Sequence, residues 1–281
     1  MALGLLATQQ WVYWAETDGL VRISLAGGTP TKVTTPRLRR WLLLQHAGRI
    51  YCTDGELRVL SWRDLEPETA TPLSEIRAQG GTFWNEMFYW TTEEGEVKRA
   101  SLSTWKAETL VTGQSDPTTI VADKDGLYWT NQGEDPASDL REPRRGAGVL
   151  GMRHTGRAAE PWASCRGYCW DLLTTSNGVV FSDIAAGEIV RVDKKSKART
   201  VIASGQKEVR GLRADGSMLY WAVDGGAIMR APERGGATQL IAKGVEVRDL
   251  IIVGALLYWL DADGPKETGT GTLRRVRIDG E

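Results

Sequence analysis

The sequence predicts an all-β chain folded as a seven-bladed β-propeller, and three observations carry that prediction. An aromatic pair recurs seven times at an interval of about 38 residues. A Gly-x-aliphatic-x-Arg motif follows it in phase. Neighbouring side chains on a strand point to opposite faces, so each aromatic pair marks a sheet with two apolar faces to cover.

The copies read WVYWAETDG, RIYCTDG, MFYWTTEEG, LYWTNQG, VVFSDIAAG, LYWAVDGG and LLYWLDADG. Their aromatic leaders fall at Tyr13, Tyr51, Tyr89, Tyr128, Phe181, Tyr220 and Tyr258, at intervals of 38, 38, 39, 53, 39 and 38 residues. The second column reads GLVR ending at Arg22, GELR at Arg58, GEVKR at Arg99, GEIVR at Arg191, GAIMR at Arg230 and GTLRR at Arg275. Blade 4 has a looser copy, GVLGMR, ending at Arg153.

Each unit divides into four strands. A precedes the aromatic pair, B holds it, C holds the Gly-to-Arg motif, and D follows a Gly-rich turn such as GGATQLIA. The second aromatic column is Trp14, Trp90, Trp129, Trp221 and Trp259, with Cys52 and Ser182 in the other two copies. Sheets apolar on both faces are satisfied by stacking between neighbours, which a ring of blades provides. Blade 1 has its own A strand from Leu3 to Thr8, and nothing after VRIDGE supplies a seventh D strand. The expectation is therefore four-stranded antiparallel blades with a three-stranded last blade, no strand exchanged between the termini, and residues 1–281 as one domain.

LYWTNQG and FYWTTEEG resemble the YWTD-type repeats of low-density-lipoprotein-receptor-like propellers, over essentially the whole chain, with seven copies where those receptors usually have six. The sevenfold count is also similar to the streptogramin-lyase type of propeller. That second resemblance implies a His at the channel mouth beside a metal.

Composition narrows the function classes. An apolar fraction of 41% and a charged fraction of 25% are ordinary for a globular protein. Twelve Trp and 32 Gly suit many short strands joined by tight turns. A net charge of −1 and the lack of a basic stripe interleaved with aromatics argue against nucleic acid as a partner. No run reaches the roughly 18 to 20 apolar residues of a membrane span. MALGLLATQQ lacks a basic leader and reads as a strand, not a signal peptide, and the compartment is left open. A monomer is expected. Cys165 and Cys169 are near enough to bridge if their loop turns back, yet free thiols are the favoured reading, with a disulfide as the alternative. Cys52 stands alone in a core strand.

Chain direction sends the D-to-A and B-to-C loops to one end of the blades, the top, where propeller ligands meet the central channel. The irregular segments collect there: Asn131 to Gly148 in blade 4, DADGPKETGTG in blade 7, and SCRGYCWD leading into blade 5. Arg40 and Trp41 precede blade 2, Arg166, Trp170 and Asp171 precede blade 5, and Arg210 and Arg248 open blades 6 and 7. Arg144 and Arg145 lie on the blade 4 loop. Guanidinium forks suit carboxylate or phosphate, and indole offers a flat stacking face. These nine residues are the candidate ligand site, with Arg40, Arg210 and Arg248 as charge partners and Trp41 and Trp170 as stacking surfaces. In the competing structural reading the same Arg residues pair with Asp171, Asp249 and carbonyls to lock the channel.

Catalysis is the minority reading. His46 and His154 map to the bottom, as exposed turn residues without triad or zinc spacing. No catalytic residue, metal or cofactor is assigned. The expected function is a non-catalytic binding propeller for a small molecule or peptide with an anionic group at the top mouth. The alternatives are a lyase, hydrolase or cyclase using channel-mouth carboxylates with or without a metal, and a protein-interaction scaffold working through the blade 4 loop.

Overall fold

The computed structural model of the chain describes residues 3–16, 19–33, 43–53, 57–61, 71–73, 76–134, 142–156, 158–261 and 271–279. Sheet 1 holds β1 (Leu3–Ala7), β2 (Trp11–Glu16), β3 (Gly19–Ser24) and β4 (Thr31–Val33). Sheet 2 holds β5 (Leu43–His46), β6 (Arg49–Thr53), β7 (Leu57–Ser61) and β8 (Thr71–Leu73). Sheet 3 holds β9 (Gly81–Trp84), β10 (Met87–Thr91), β11 (Val97–Ser101) and β12 (Ala107–Val111). Sheet 4 holds β13 (Pro117–Asp123), β14 (Gly126–Asn131), β15 (Gly148–Met152) and β16 (Glu160–Ser164). Sheet 5 holds β17 (Cys169–Thr174), β18 (Gly178–Asp183), β19 (Glu188–Asp193) and β20 (Arg199–Ala203). Sheet 6 holds β21 (Arg210–Asp215), β22 (Met218–Ala222), β23 (Ala227–Pro232) and β24 (Gln239–Lys243). Sheet 7 has three strands, β25 (Val247–Val253), β26 (Leu256–Asp261) and β27 (Thr272–Arg277).

Within every sheet the strands neighbour one another in chain order. This is the seven-bladed β-propeller that the repeat predicts, three-stranded last blade included. Among the described residues there is no helix, and so none long and apolar enough to cross a membrane.

The contacts divide the chain into two compact units. One comprises residues 1–77, 225–228 and 241–281, and contains sheets 1, 2 and 7. In it β1 lies against β25 and β5. The other comprises residues 78–224 and 229–240, with sheets 3, 4 and 5 and the greater part of sheet 6. There β9, β13, β17 and β21 succeed one another side by side.

Both aromatic columns are buried, because each fills the space between two sheets. Trp14 packs in one cluster with Tyr258, Tyr13 with Cys52, and Tyr89 with Trp129. The tyrosine of one sheet thus meets the second-column residue of the next. In sheets 1, 3 and 7 the Arg of the second motif sits directly across the strand pair from the Tyr, Tyr13 opposite Arg22, Tyr89 opposite Arg99 and Tyr258 opposite Arg275, whereas Arg58 of sheet 2 lies opposite Cys52. Such cross-strand neighbours are the local unit of sheet stability.

Sheet 5 corrects the sequence alignment by one residue. Phe181 clusters with Tyr128 of sheet 4, and Val180 clusters with Trp221 of sheet 6. Val180, not Phe181, is the residue opposite Arg191. The true columns here are Val180 and Phe181, and Ser182 is no exception to the Trp column. The run VVFSD is apolar at three consecutive positions, so its pattern alone did not fix which side chain faced which neighbour.

The glycine of the second motif has a steric cause. Gly95 and Gly226 both have φ of +75°, and a Cβ on either would come within 2.5 Å of a carbonyl oxygen, of Gln114 and Gly244 respectively. The close approach is a hydrogen bond in each case, Gln114 N–H to Gly95 O at 2.9 Å and Gly244 N–H to Gly226 O at 2.7 Å. Only glycine combines that φ with that proximity.

Two further expectations are corrected. Cys165 and Cys169 are joined as a disulfide with their Cα atoms 6.1 Å apart, because the intervening loop does turn back. His154 is not an exposed turn residue. It is half-buried, its ring stacks on Trp84 at 5.9 Å, and its Nε2 lies 2.6 Å from the Asp123 carbonyl. His46, at the end of β5, is likewise partly covered. Cys52 is buried and takes no part in the disulfide.

Candidate functional site

The segment leading into sheet 5, Cys165 to Asp171, is tied down along its length. Asp183, which closes β18, accepts the Arg166 N–H at 2.7 Å on one carboxylate oxygen and the Ala186 N–H at 3.1 Å on the other. Ile184 N–H donates to the Tyr168 carbonyl at 2.9 Å. The Gln132 amide donates to the Cys169 carbonyl at 2.7 Å, and the Thr119 hydroxyl to the Trp170 carbonyl at 2.8 Å. Asp171 N–H donates to the Ser182 hydroxyl at 3.0 Å. The disulfide closes the same turn covalently.

The last of these bonds explains the third position of the repeat. Gly80 donates to Thr91 Oγ1 at 3.0 Å and Thr119 to Thr130 Oγ1 at 3.2 Å, each pair 11 residues apart, as Asp171 and Ser182 are. In sheets 4 and 5 the ladder between the first two strands is irregular at this point. A main-chain N–H released there needs another acceptor, and a Thr or Ser hydroxyl on the second strand provides it.

On this fixed segment Trp170 is 46% exposed, unusual for an indole on so constrained a main chain. Its ring lies 6.0 Å from that of Tyr168. Above Tyr168 sits the Arg144 guanidinium, 4.1 Å from the ring centroid, within cation–π range. The blade 4 loop is held against the same segment by Arg144 N–H to the Arg166 carbonyl at 3.0 Å, and an isolated bridge between Glu134 and Arg145 closes the base of the loop on itself. Arg145 and Arg166 are exposed. Arg144, Arg145, Arg166, Trp170 and Asp171 are therefore neighbours, joined through Tyr168 and Asp183.

The remaining sequence-derived candidates are engaged by other residues or lie outside the described ones. Arg210, part-exposed on β21, pairs with Glu208 at 3.2 Å. Arg248 belongs to the other unit, where its side chain is 9% exposed and pairs with Glu246 at 2.6 Å. Asp249 accepts the Leu5 N–H at 2.9 Å and the Leu250 N–H at 2.8 Å. Arg40 and Trp41 fall outside the described residues. Among the described residues no three His, Cys, Asp or Glu side chains gather as a metal site would require.

Sequence reasoning missed Tyr168, Gln132 and Asp183. Only Asp183 left a usable signal. Once the columns are shifted by one, Val-Phe-Ser-Asp aligns with Tyr-Trp-Leu-Asp of sheet 7, whose Asp261 accepts Val245 N–H at 2.8 Å and Glu246 N–H at 2.9 Å.

No protein-family model matches the chain, and no curated protein matches it. Solved structures do. The computationally designed Ika8 protein is 14% identical with a TM-score of 0.68, covering 99% of this chain and 83% of that one. The extracellular domain of BT4673 from B. thetaiotaomicron is 12% identical with a TM-score of 0.72, covering 98% of this chain and 38% of that one. A chain of the nidogen/laminin complex is 18% identical with a TM-score of 0.55, covering 74% of this chain and 82% of that one. At such identities the likeness is one of fold.

Proposed function

We propose that this propeller is a non-catalytic binding module whose ligand, a small molecule or peptide carrying an anionic group, docks beside the disulfide-closed segment of sheet 5. The observation that carries this reading is Trp170, exposed on a main chain held by Asp183, Ile184, Gln132, Thr119 and Ser182. A fixed, exposed indole binds without the ordering cost that a mobile loop incurs. Arg144 and Arg166 supply the charge, and Arg144 is already oriented by Tyr168. The anion approaches the guanidinium edge while a planar part of the ligand stacks on Trp170. Arg210 contributes less, since Glu208 already neutralises it.

Phenyl phosphate and benzoate are suitable probes for titration calorimetry, each joining a planar ring to an anion. Saturable binding is expected, weakened at least tenfold by Arg144→Ala or Trp170→Ala and less by Arg210→Ala. Absence of saturable binding by both probes, or equal affinity in the first two variants, overturns the reading. A protein partner is the second reading, favoured by the joint exposure of Arg145, Arg166 and Trp170. It requires that replacing residues 135–141 with a short Gly-Ser link abolish partner capture while leaving probe affinity unchanged.

A further inference from the structure

At the other end of the same strands, sheets 4 and 5 line a solvent-open cleft of about 780 Å³, within the roughly 300–1,000 Å³ typical of small-molecule sites. From its position and charge we infer that it is a second ligand site, one for a small polyanion with two or more carboxylate or phosphate groups.

The floor is aromatic and sterically defined. Tyr128 and Trp162 meet edge to face with ring centroids 4.6 Å apart. The Trp162 ring reaches across the sheet because position 151 is glycine. A Cβ there would stand 2.8 Å from the indole nitrogen and 2.9 Å from the Tyr128 ring.

The wall is a built turn. Asp193 accepts the Lys195 N–H at 2.9 Å, the Ser196 N–H at 2.7 Å and the Ser196 hydroxyl at 2.9 Å, all on one oxygen. Lys197 N–H returns to the Asp193 carbonyl at 3.0 Å. Lys197 is held at φ of +60°, a conformation most residues avoid. Its ammonium is thereby set 2.9 Å from the Trp162 ring centroid.

The charge inventory leaves a surplus. Five cations line the cavity, Lys124, Arg153, Lys194, Lys195 and Lys197, against three carboxylates, Asp125, Glu160 and Asp193; with Asp123, which pairs with Lys194 from behind the lining, the excess is one. Asp125 is engaged by Lys124 at 2.7 Å and Lys194 at 3.6 Å. Asp193 is engaged by its own turn, and Lys194 by Asp123 and the Thr175 carbonyl. Arg153, Lys195 and Lys197 make no ion pair among the described residues, with only Glu160 left to face them. Partial desolvation of its ammonium, only in part offset by Glu160, draws the Lys197 amine below the ordinary lysine value although the residue as a whole is exposed. Several ammonium and guanidinium groups around one cleft match a compact polyanion, whose charges each find a donor.

This site shares no residue with the one proposed above, so either can fail alone. The test is titration calorimetry of the full chain with pyrophosphate and with citrate, one arm for each anion chemistry. Saturable binding of one equivalent by at least one probe is expected at low salt. The double variant Lys195→Gln/Lys197→Gln should weaken it tenfold or more, while Arg144→Ala leaves it unchanged. Both lysines are exposed, and an unshifted thermal midpoint verifies that the variant is folded. Failure of both probes to saturate, wild-type affinity in the folded double variant, or loss of binding in Arg144→Ala overturns the inference.

Discussion

The carboxylate of Asp183 accepts the main-chain N–H of Arg166 at 2.7 Å, anchoring the segment that presents Trp170 to the end of β18. Asp261 does the same work in sheet 7 and also meets Arg274 Nε at 3.1 Å, at 0% exposure. Hydrogen bonds to a charged group contribute roughly 1.5–3 kcal/mol each. Asp183→Ala, which removes two such bonds, should therefore lower stability by about 3 kcal/mol or more in urea unfolding and weaken probe binding as well. Asp261→Ala should cost more, since among the described residues the buried Asp261 carboxylate accepts from three donors where Asp183 accepts from two. Unchanged stability in Asp183→Ala would show that the anchor is idle.

The buried indoles are not equivalent. Trp129 donates to Gln114 Oε1 at 3.0 Å and Trp221 to Gln206 Oε1 at 2.9 Å, each Gln standing 15 residues before its Trp. The matching position for Trp259 is Gly244, and the Trp259 indole nitrogen is buried without a hydrogen-bond partner among the described residues. Replacing an indole by phenyl removes a bond in one case and an unmet donor in the other. Trp221→Phe should be less stable than Trp259→Phe by about 1 kcal/mol in denaturant titration. The reverse order would contradict the pairing.

Thiol counting examines the disulfide. Unfolding without reductant should expose one reactive thiol, Cys52, and three after reduction. Closing so short a loop is worth about 2 kcal/mol on chain-entropy grounds. The reduced protein should lose about that much stability and bind the aromatic anions more weakly. Three reactive thiols before reduction would exclude the bridge.

Acid should loosen the turn beside the cavity. The N–H groups and hydroxyl of its turn, Ser196 foremost, hold Asp193 below the usual carboxylate value, and Lys124 does the same for Asp125. A carboxylate depressed by folding stabilises above its unfolded value of about 4 and ceases to as pH falls through the folded one. The thermal midpoint should therefore decline below about pH 4, with a shallower slope in Asp193→Asn. Identical slopes would remove Asp193 from that account.

Much of the fold was legible because the same physical demand recurs seven times. Tyr13 and Trp14 point oppositely and are both buried, and the other copies repeat the instruction. Where the repeat loses its aromatic pair, at Val180 and Phe181, alternation no longer distinguishes the faces and the alignment slipped by one. The candidate site was half legible. Arg144, Arg166 and Trp170 stand out as Arg and Trp in irregular segments, whereas Tyr168 matters only because the bridged turn brings it under Arg144. No local pattern announces that contact, since 24 residues of chain separate the two. The cavity of Lys197 and Trp162 was invisible for a similar reason. It depends on Gly151 yielding space across a strand.

Fluorine NMR of 5-fluorotryptophan-labelled protein addresses the Trp170 platform most directly. The twelve indoles give twelve resonances, and Trp170→Phe identifies one of them. Titration with phenyl phosphate should move that resonance saturably, with the buried Trp129 and Trp221 signals left in place. A Trp170 resonance that stays fixed while the probe binds would mean that the ligand sits elsewhere.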